Sequence, residues 1–426
     1  MYTKLVYQID CVVSSVSDRS LLMQGNMNEP AIDCWQRNLA VCLFGAFTTV
    51  FAMTLILPFL PVYIGQLGVS GHAAIVQCSG IAYAATFVTA GLVAPLWGML
   101  GDRYGRKPML VRASLGMAIT MLLMGLASDI WQFIGLRLLA GIAGGYSSGA
   151  TILVAVQAPK SRSAWALGLL SSGVMAGNLL GPLVGGFLPP LIGIRATFWG
   201  ASGLIFIAFV FTTFMLRETA RPSVPAVEEP PKVGWSNMPN KAVILAMLAT
   251  GLLLMIANMS VEPIITVYIE TLLEDSRRVT SVAGLAMSAA ALGSIISATY
   301  LGKVADRIGY GVIMIAALSV AAVLLIPQAF VYAGWQLIAL RFLMGMALGG
   351  LLPCMAAVIR HSVPERFVGS AMGWSLSAQF AGQVIGPVIG GFVGGQFGMR
   401  SVFLVTSLLM LAGALFNWRA LGHSTR

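Results

Sequence analysis

The fold is decided by a short stretch that reads GMLGDRYGRKP, from Gly98 to Pro108. Its glycines permit a very tight turn, and Asp102 and Arg106 can pair with each other or with neighbouring helix ends. Part of the stretch recurs 204 residues later, because Ala305-Asp306-Arg307-Ile308-Gly309 repeats the pattern of residues 101–105. Tyr310 stands where Arg106 would recur, so we expect the second copy to make the weaker contact.

The sequence on both sides of this stretch is that of a membrane protein. Of 426 residues, 58% are hydrophobic and only 9% are charged, whereas soluble domains carry about 25% charged residues. Nearly uncharged runs of about 18 or more residues predict helices that span a bilayer. An all-α protein with twelve such helices is predicted, at residues 38–64, 73–97, 108–127, 131–156, 164–188, 196–216, 242–268, 282–301, 312–331, 335–359, 367–392 and 400–418.

An internal repeat organises these helices. Further matches occur in the same order at a spacing of 204 or 205 residues: Trp131–Arg137 recurs as Trp335–Arg341, Gly177–Pro182 as Gly382–Pro387, and Gly193–Arg195 as Gly398–Arg400. Such matches at one spacing indicate a duplication. Each copy holds six helices, an even number, so the two copies are parallel, and a substrate site is expected between them near the middle of the membrane.

The chain divides into four predicted segments. Residues 1–36 are a polar N-terminal tail without the apolar core of a signal peptide, and Met27 is an alternative start. Residues 37–216 and 242–420 are the two six-helix halves. The segment between them, 217–241, is rich in proline and glutamate and predicts a flexible linker.

The basic residues are unevenly distributed along the chain. Most of the 25 Lys and Arg residues lie in the tail and the even-numbered loops, whereas the odd-numbered loops carry only Arg195, Arg277, Arg278 and Arg400. The positive-inside rule therefore predicts that both termini are cytoplasmic. This placement also argues against nucleic acid as a partner, which the net charge of +10 alone would suggest.

Several function classes lack support in the sequence. The three histidines and five cysteines show neither metal-ligand spacing nor a disulfide framework. No predicted helix carries a His or Asp cluster suited to a catalytic metal, and no phosphate-binding Gly-Lys-Ser/Thr loop is present. We therefore predict a protein that is not an enzyme, binds no cofactor or metal, and depends on an ion or solute gradient for any uphill step.

Three motifs resemble those of the major facilitator superfamily. The stretch GMLGDRYGRKP matches its loop signature, which implies a cytoplasmic gate formed by Gly98, Asp102, Arg103, Gly105 and Arg106. Arg137, followed by Gly141, Gly144 and Gly145, resembles the motif of the fourth helix. An arginine in hydrocarbon costs roughly 2.5–3.5 kcal/mol on insertion scales, so Arg137 should face protein or water.

The third motif points to the direction of transport. The stretch GNLLGPLVGG resembles the fifth-helix motif of the exporter branch, through Gly177, Gly181, Pro182 and Gly185. Tight helix packing alone is the other interpretation of these glycines. The runs LPFLP at 57–61, IWQF at 130–133 and SAWALG at 163–168 resemble the twelve-helix drug:proton antiporters of the same superfamily.

The resemblance implies a monomeric transporter in the bacterial inner membrane. It would exchange protons for small hydrophobic or amphipathic compounds by alternating access, which makes it a multidrug efflux protein involved in antibiotic resistance. An exporter of a sugar or another metabolite with the same fold remains the alternative. By family analogy the central cavity is lined by polar and aromatic residues, namely Phe51, Tyr146, Asn178, Asn258, Gln379 and Gln383.

Glu262 is the only acidic residue well inside a predicted helix. Arg341 lies at a similar depth in the tenth helix, at about 1.5 Å per residue, so we hypothesise that the two side chains pair. A carboxylate in such a place can exchange a proton for a substrate as water access alternates. Glu262, Arg341 and Arg137 are the predicted proton-coupling residues, and a permanently ionised structural pair is the alternative.

Overall fold

The computed structural model describes residues 34–159, 161–218 and 241–422, and all regular elements in these ranges are helices. Twelve of them are long and apolar enough to cross a membrane. We name them spans 1 to 12, in chain order: Trp35–Gln66, His72–Tyr104, Arg106–Met124, Ile130–Gln157, Ser163–Ile192, Ile194–Met215, Lys241–Glu270, Ser276–Ile308, Tyr310–Gln328, Gly334–Ser362, Phe367–Phe397 and Met399–Ala420. The predicted all-α, twelve-span fold is confirmed.

Three spans are interrupted where the backbone cannot continue an α-helix. Span 1 consists of Cys34–Leu55, a short 3-10 turn at Leu57–Phe59 and Leu60–Gln66, because Pro58 and Pro61 lack the amide hydrogens that a continuous helix requires. Spans 4 and 10 are broken at glycine pairs, into Ile130–Ala143 and Tyr146–Gln157, and into Gly334–Leu348 and Leu351–Ser362. The apolar runs predicted both spans as continuous helices.

The joint between spans 2 and 3 is shorter than the sequence predicted. Span 2 continues through the motif to Tyr104, and the single residue Gly105, at φ +99°, connects it to Arg106. Only glycine adopts this conformation without strain, so one residue is enough to reverse the chain. Gly98, Asp102 and Arg103 therefore lie on a helix and not in a loop, which corrects their predicted placement.

The spans divide into two halves, 1–6 and 7–12, that meet mainly along two helix pairs. Span 2 packs against span 11, and span 5 packs against span 8. We call the side that carries the joints at Gly105 and Gly309 the termini face, and the side with Gly71, Gly193 and Gly398 the far face. The predicted tail 1–36 and linker 217–241 lie almost entirely outside the described residues.

The halves touch at the far face and separate toward the termini face. A methyl group added at Gly80 would lie 2.3 Å from the carbonyl oxygen of Pro387, and one added at Gly284 would lie 2.3 Å from that of Pro182. By contrast, Gly91 of span 2 and Gly373 of span 11 have no atom within 4 Å of such a methyl group. The structure is therefore closed at the far face and open at the termini face.

Candidate functional site

The gate motif holds an ion pair at the termini face. Arg106 pairs with Asp102, four residues before it, across the joint at Gly105. Glu218, at the end of span 6, accepts hydrogen bonds from the backbone amides of Arg106 and Lys107 at 2.7 and 2.9 Å. Glu218 thus caps the positive N-terminus of span 3, a role that the sequence predicted for Asp102.

The second copy of the motif makes the equivalent side-chain contact with a different pair of groups. The hydroxyl of Tyr310 donates to a carboxylate oxygen of Asp306 at 2.5 Å, where Arg106 pairs with Asp102 in the first copy. The Tyr310 ring also stacks on His361 of span 10, with ring centroids 5.8 Å apart. A neutral hydroxyl replaces a guanidinium here, as the substitution of Tyr310 for arginine predicted.

The break in span 4 is held by two residues that the sequence did not indicate. Arg112 of span 3 donates to the carbonyl oxygens of Ile142 and Gly144 at 2.9 and 3.0 Å. The indole of Trp97 donates to the same Ile142 carbonyl at 2.9 Å, and the Arg112 guanidinium lies 3.6 Å from the centroid of that indole. These donors satisfy carbonyl groups that the broken helix leaves free. At a spacing of 204, an alanine (Ala316) replaces Arg112 in the other half.

The glycines after Arg137 have two separate roles. Gly141 allows span 2 to approach, since a methyl group there would lie 2.1 Å from the carbonyl oxygen of Thr86. Gly145, at φ +102°, instead breaks the helix. Gly141 thus serves close helix approach, whereas Gly145 serves the break in the helix.

Arg137 is buried against span 2, with 2% of its surface exposed. Its Nε donates to the carbonyl oxygen of Ala82 at 3.0 Å, and its guanidinium carbon lies 5.6 Å from the centroid of the Tyr83 ring. A backbone carbonyl and an aromatic face are both favourable neighbours for a buried cation. Arg137 faces protein, in agreement with the prediction from the free-energy cost of placing an arginine in hydrocarbon.

Glu262 and Arg341 do not form an ion pair in this state. No hydrogen bond and no ion pair within 4 Å joins them in the described ranges. Glu262 is half-buried and Arg341 is 3% exposed. The Oε2 atom of Glu262 and the Nε and Nη2 atoms of Arg341 are inaccessible and have no hydrogen-bond partner in the described part of the chain.

Orphaned charged atoms of this kind are costly in a protein interior. A proton, a substrate group or a second arrangement of the helices would relieve that cost. The geometry is compatible with the predicted proton-coupling role of Glu262, and a permanently closed ion pair is not present in this state.

Five of the six predicted cavity residues are at least partly exposed, and one is buried. Phe51, Asn258, Gln379 and Gln383 are half-buried or exposed on spans 1, 7 and 11, and Asn178 lies on span 5. Tyr146 does not line a cavity: its ring is fully buried against Gly45, and its hydroxyl bonds to Thr212 at 2.7 Å. Gly145 breaks the helix immediately before Tyr146. The Tyr146 side chain therefore lies on a different face from the one that a continuous helix predicts.

The glycines of the exporter-type motif pack against the backbone of span 1. A methyl group at Gly177 would lie 3.0 Å from the carbonyl oxygen of Phe47, and one at Gly185 would lie 1.9 Å from that of Leu55. Gly181 meets the Thr54 hydroxyl in the same way, at 2.0 Å. Pro182 lies inside span 5 between these contacts.

The same packing exists in the other half. Methyl groups at Gly382, Gly386 and Gly390 of span 11 would lie 2.6, 2.8 and 1.9 Å from backbone oxygens of span 7. The three glycines are repeat equivalents of Gly177, Gly181 and Gly185 at a spacing of 205. Close helix packing is thus one role of the motif, and the same packing occurs in both halves.

An apolar groove of about 520 Å³ lies where spans 2 and 11 separate. Its walls are apolar side chains and glycine from both halves, apart from Ser377; they include Phe87, Leu92, Phe380 and Val384. Spans 2 and 11 touch at Gly80 and Pro387, and the groove lies between the same two spans on the termini-face side of that contact. It offers a hydrophobic surface at the interface between the halves.

Comparison with known proteins gives consistent matches over almost the whole chain. The family model described as Major Facilitator Superfamily matches residues 42–280 and 279–425. The chain is 40% identical over 387 residues to "Multidrug resistance protein MdtG" of Salmonella arizonae and of Salmonella typhimurium, covering 91% of this chain and 96% of each relative.

Solved structures share the fold at low sequence identity. A bacterial homologue of the human lysosomal transporter Spinster superposes with a TM-score of 0.72 at 14% identity, covering 91% of this chain and 97% of that chain. The human organic anion transporter MFSD10 superposes with a TM-score of 0.63 at 20% identity, over 90% and 99% of the two chains. These likenesses concern the fold alone.

Proposed function

This chain belongs to the major facilitator superfamily, as its motifs predicted, and we propose that it is a secondary active multidrug exporter driven by proton antiport. The apolar groove between the halves is the observation that carries the proposed substrate class, small hydrophobic or amphipathic compounds. The relatives named for multidrug resistance support the same class. Its twelve spans make the protein a multi-pass membrane protein, and we place it in the bacterial inner membrane.

The proposed cycle uses Glu262 as the proton carrier. In the state open to the far face, Glu262 would take a proton from the solution on that side. In the state described here, open to the termini face, it would release that proton and the substrate would enter between the halves. Only an O–H bond forms and breaks, so the step needs no cofactor. Arg341 is the buried arginine of the same half, and Arg137, its repeat equivalent, is a candidate for the same coupling.

Reconstituted transport tests the proposed function. In proteoliposomes with an acidic lumen, we expect protein inserted with its termini face outward to accumulate ethidium in the lumen, because protons leaving the lumen drive the dye inward. A protonophore should abolish the accumulation. Uptake of labelled sugars in place of hydrophobic dyes would favour the metabolite exporter. Accumulation of dye that is the same with and without the pH gradient would contradict proton antiport.

The proposed orientation places both termini in the cytoplasm, so that the structure is open to the cytoplasm. We expect alkaline phosphatase, which is active only in the periplasm, to be silent when fused after Arg426. The same enzyme fused after Asp275, between spans 7 and 8, should be active and serves as the matched control. Phosphatase activity from the Arg426 fusion would reverse the assigned topology.

A further inference from the structure

Two serines of span 8 donate hydrogen bonds to the backbone of span 5, in the opposite half. The Ser281 hydroxyl donates to the carbonyl oxygen of Gly186 at 3.2 Å, and the Ser288 hydroxyl donates to that of Leu179 at 2.8 Å. The two serines are seven residues apart, so they lie on one face of the helix, about 10 Å from each other. They flank Gly284, where span 8 touches span 5. Hydrogen bonds therefore join the two halves on both sides of this close contact.

A third hydroxyl group joins span 7 to span 1. Thr266 is 1% exposed and donates to the carbonyl oxygen of Pro58 at 3.0 Å. Pro58 lies in the short turn that interrupts span 1, and Thr266 lies one helical turn before the far-face end of span 7. We refer to Thr266, Ser281 and Ser288, with their three carbonyl partners, as the hydroxyl clasp. In each bond the C-terminal half is the donor and the N-terminal half the acceptor.

Prolines of the N-terminal half help to make these carbonyl groups available. In a regular helix the Gly186 carbonyl would accept a hydrogen bond from the amide four residues later, but Pro190 has no amide hydrogen. The Pro58 carbonyl belongs to a turn that is itself caused by prolines. Serine and threonine side chains are among the groups that satisfy such freed backbone groups inside a membrane. The clasp therefore places donors of one half on acceptors of the other.

The hydroxyl clasp breaks the symmetry of the repeat. The equivalent positions of the N-terminal half carry no hydroxyl group; they are Pro61, Gln77 and Ala84, which correspond to Thr266, Ser281 and Ser288 at spacings of 205, 204 and 204. The glycine of the same helix face is kept, because Gly80 corresponds to Gly284 and touches span 11 as Gly284 touches span 5. The close approach of the helices is therefore common to both halves, whereas the hydroxyl donors at these positions belong to the C-terminal half.

We propose that Thr266, Ser281 and Ser288 are positioning residues for alternating access: their hydrogen bonds hold the far face closed and break when it opens. The far face cannot open unless span 8 leaves span 5 and span 7 leaves the interrupted part of span 1. Water reaches the separated groups in the open state, so each bond contributes only modestly and the closure stays reversible. The proposal rests on the alternating access of the proposed function and not on its proton coupling.

A distance measurement on ligand-free protein at constant pH tests the hydroxyl clasp. Spin labels are attached at Ser70→Cys and Ser276→Cys, in the far-face loops of opposite halves, after the native cysteines have been replaced. Thr266→Val, Ser281→Ala and Ser288→Ala each remove one hydroxyl group. Each should lower the ratio of far-face-closed to far-face-open molecules about threefold, the average effect of one hydrogen bond between membrane-spanning helices. The triple variant should lower this ratio about 25-fold if the three effects are independent.

A matched control separates the clasp from a general loss of packing. Ser297→Ala also removes a buried hydroxyl from span 8, but this hydroxyl donates to the carbonyl oxygen of Ser294 in its own helix, at 3.3 Å. It should leave the distances unchanged. Wild-type populations in the triple variant would overturn the proposal, and so would an equal shift in Ser297→Ala. Should the triple variant not fold, the single variants decide by the same criteria. No pH gradient or transported compound enters the measurement, so a negative result would leave proton antiport intact.

Discussion

Glu262→Gln is expected to abolish uphill export driven by a pH gradient while leaving downhill exchange of substrate in place. One pH unit corresponds to about 1.4 kcal/mol, or roughly a tenfold accumulation for one proton exchanged per ethidium cation. A glutamine has nearly the shape of the acid and cannot carry a proton. The variant should therefore lose that tenfold accumulation, measured with ethidium in acid-loaded proteoliposomes.

The expected loss follows from the position of Glu262 among the acidic residues. Asp102, Asp306 and Glu270 lie at the ends of spans, whereas Glu262 lies within span 7, with a buried oxygen that has no partner in the described residues. The matched control is Glu270→Gln, which removes an exposed carboxylate from the end of the same span and should accumulate dye like the wild type. Normal uphill accumulation by Glu262→Gln would make Glu262 structural and move the proton to another group, with Arg137 and its surroundings the next candidates.

The sequence was sufficient for the architecture because the bilayer imposes a simple length rule. Each span requires about 20 apolar residues, and the duplicated motifs paired the helices of the two halves. The same spacing identified Arg137 and Arg341 as equivalent residues from the sequence alone. These features depend on composition and order along the chain, which are local properties.

The contacts that hold the sites depend on tertiary structure and could not be predicted. Arg112 and Glu218 act on backbone groups of other segments, at Ile142, Gly144 and the start of span 3. Nothing in their local sequence marks such roles. The glycine pair at 144–145 was visible, but a glycine in a helix serves either close packing or a break. Only the positive φ of Gly145 decides between the two, and it also explains the wrong placement of Tyr146.

The groove between spans 2 and 11 leads to the second large effect, that of Gly91→Trp. The face of span 2 that meets span 11 at Gly80 continues through Gly91, where no atom lies within 4 Å of an added methyl group. An indole therefore fits in the present state. For the far face to open, the termini face must close, and span 2 must then approach span 11 along this same line. A bulky side chain at Gly91 would prevent that approach.

Gly91→Trp is accordingly expected to trap the protein open at its termini face and to reduce transport severely. Overpacking typically costs about 1–3 kcal/mol, which would disfavour the opposite state by roughly 5- to 150-fold. Gly203→Trp places the same residue at an exposed glycine of span 6 that has no neighbour within 4 Å, and it should transport normally. Spin labels at Ser70→Cys and Ser276→Cys, which lie at the far face in opposite halves, should stay at a short distance from each other in Gly91→Trp. Normal export by this variant would show that spans 2 and 11 do not close along this line, so that the two states must be related by a different movement of the halves.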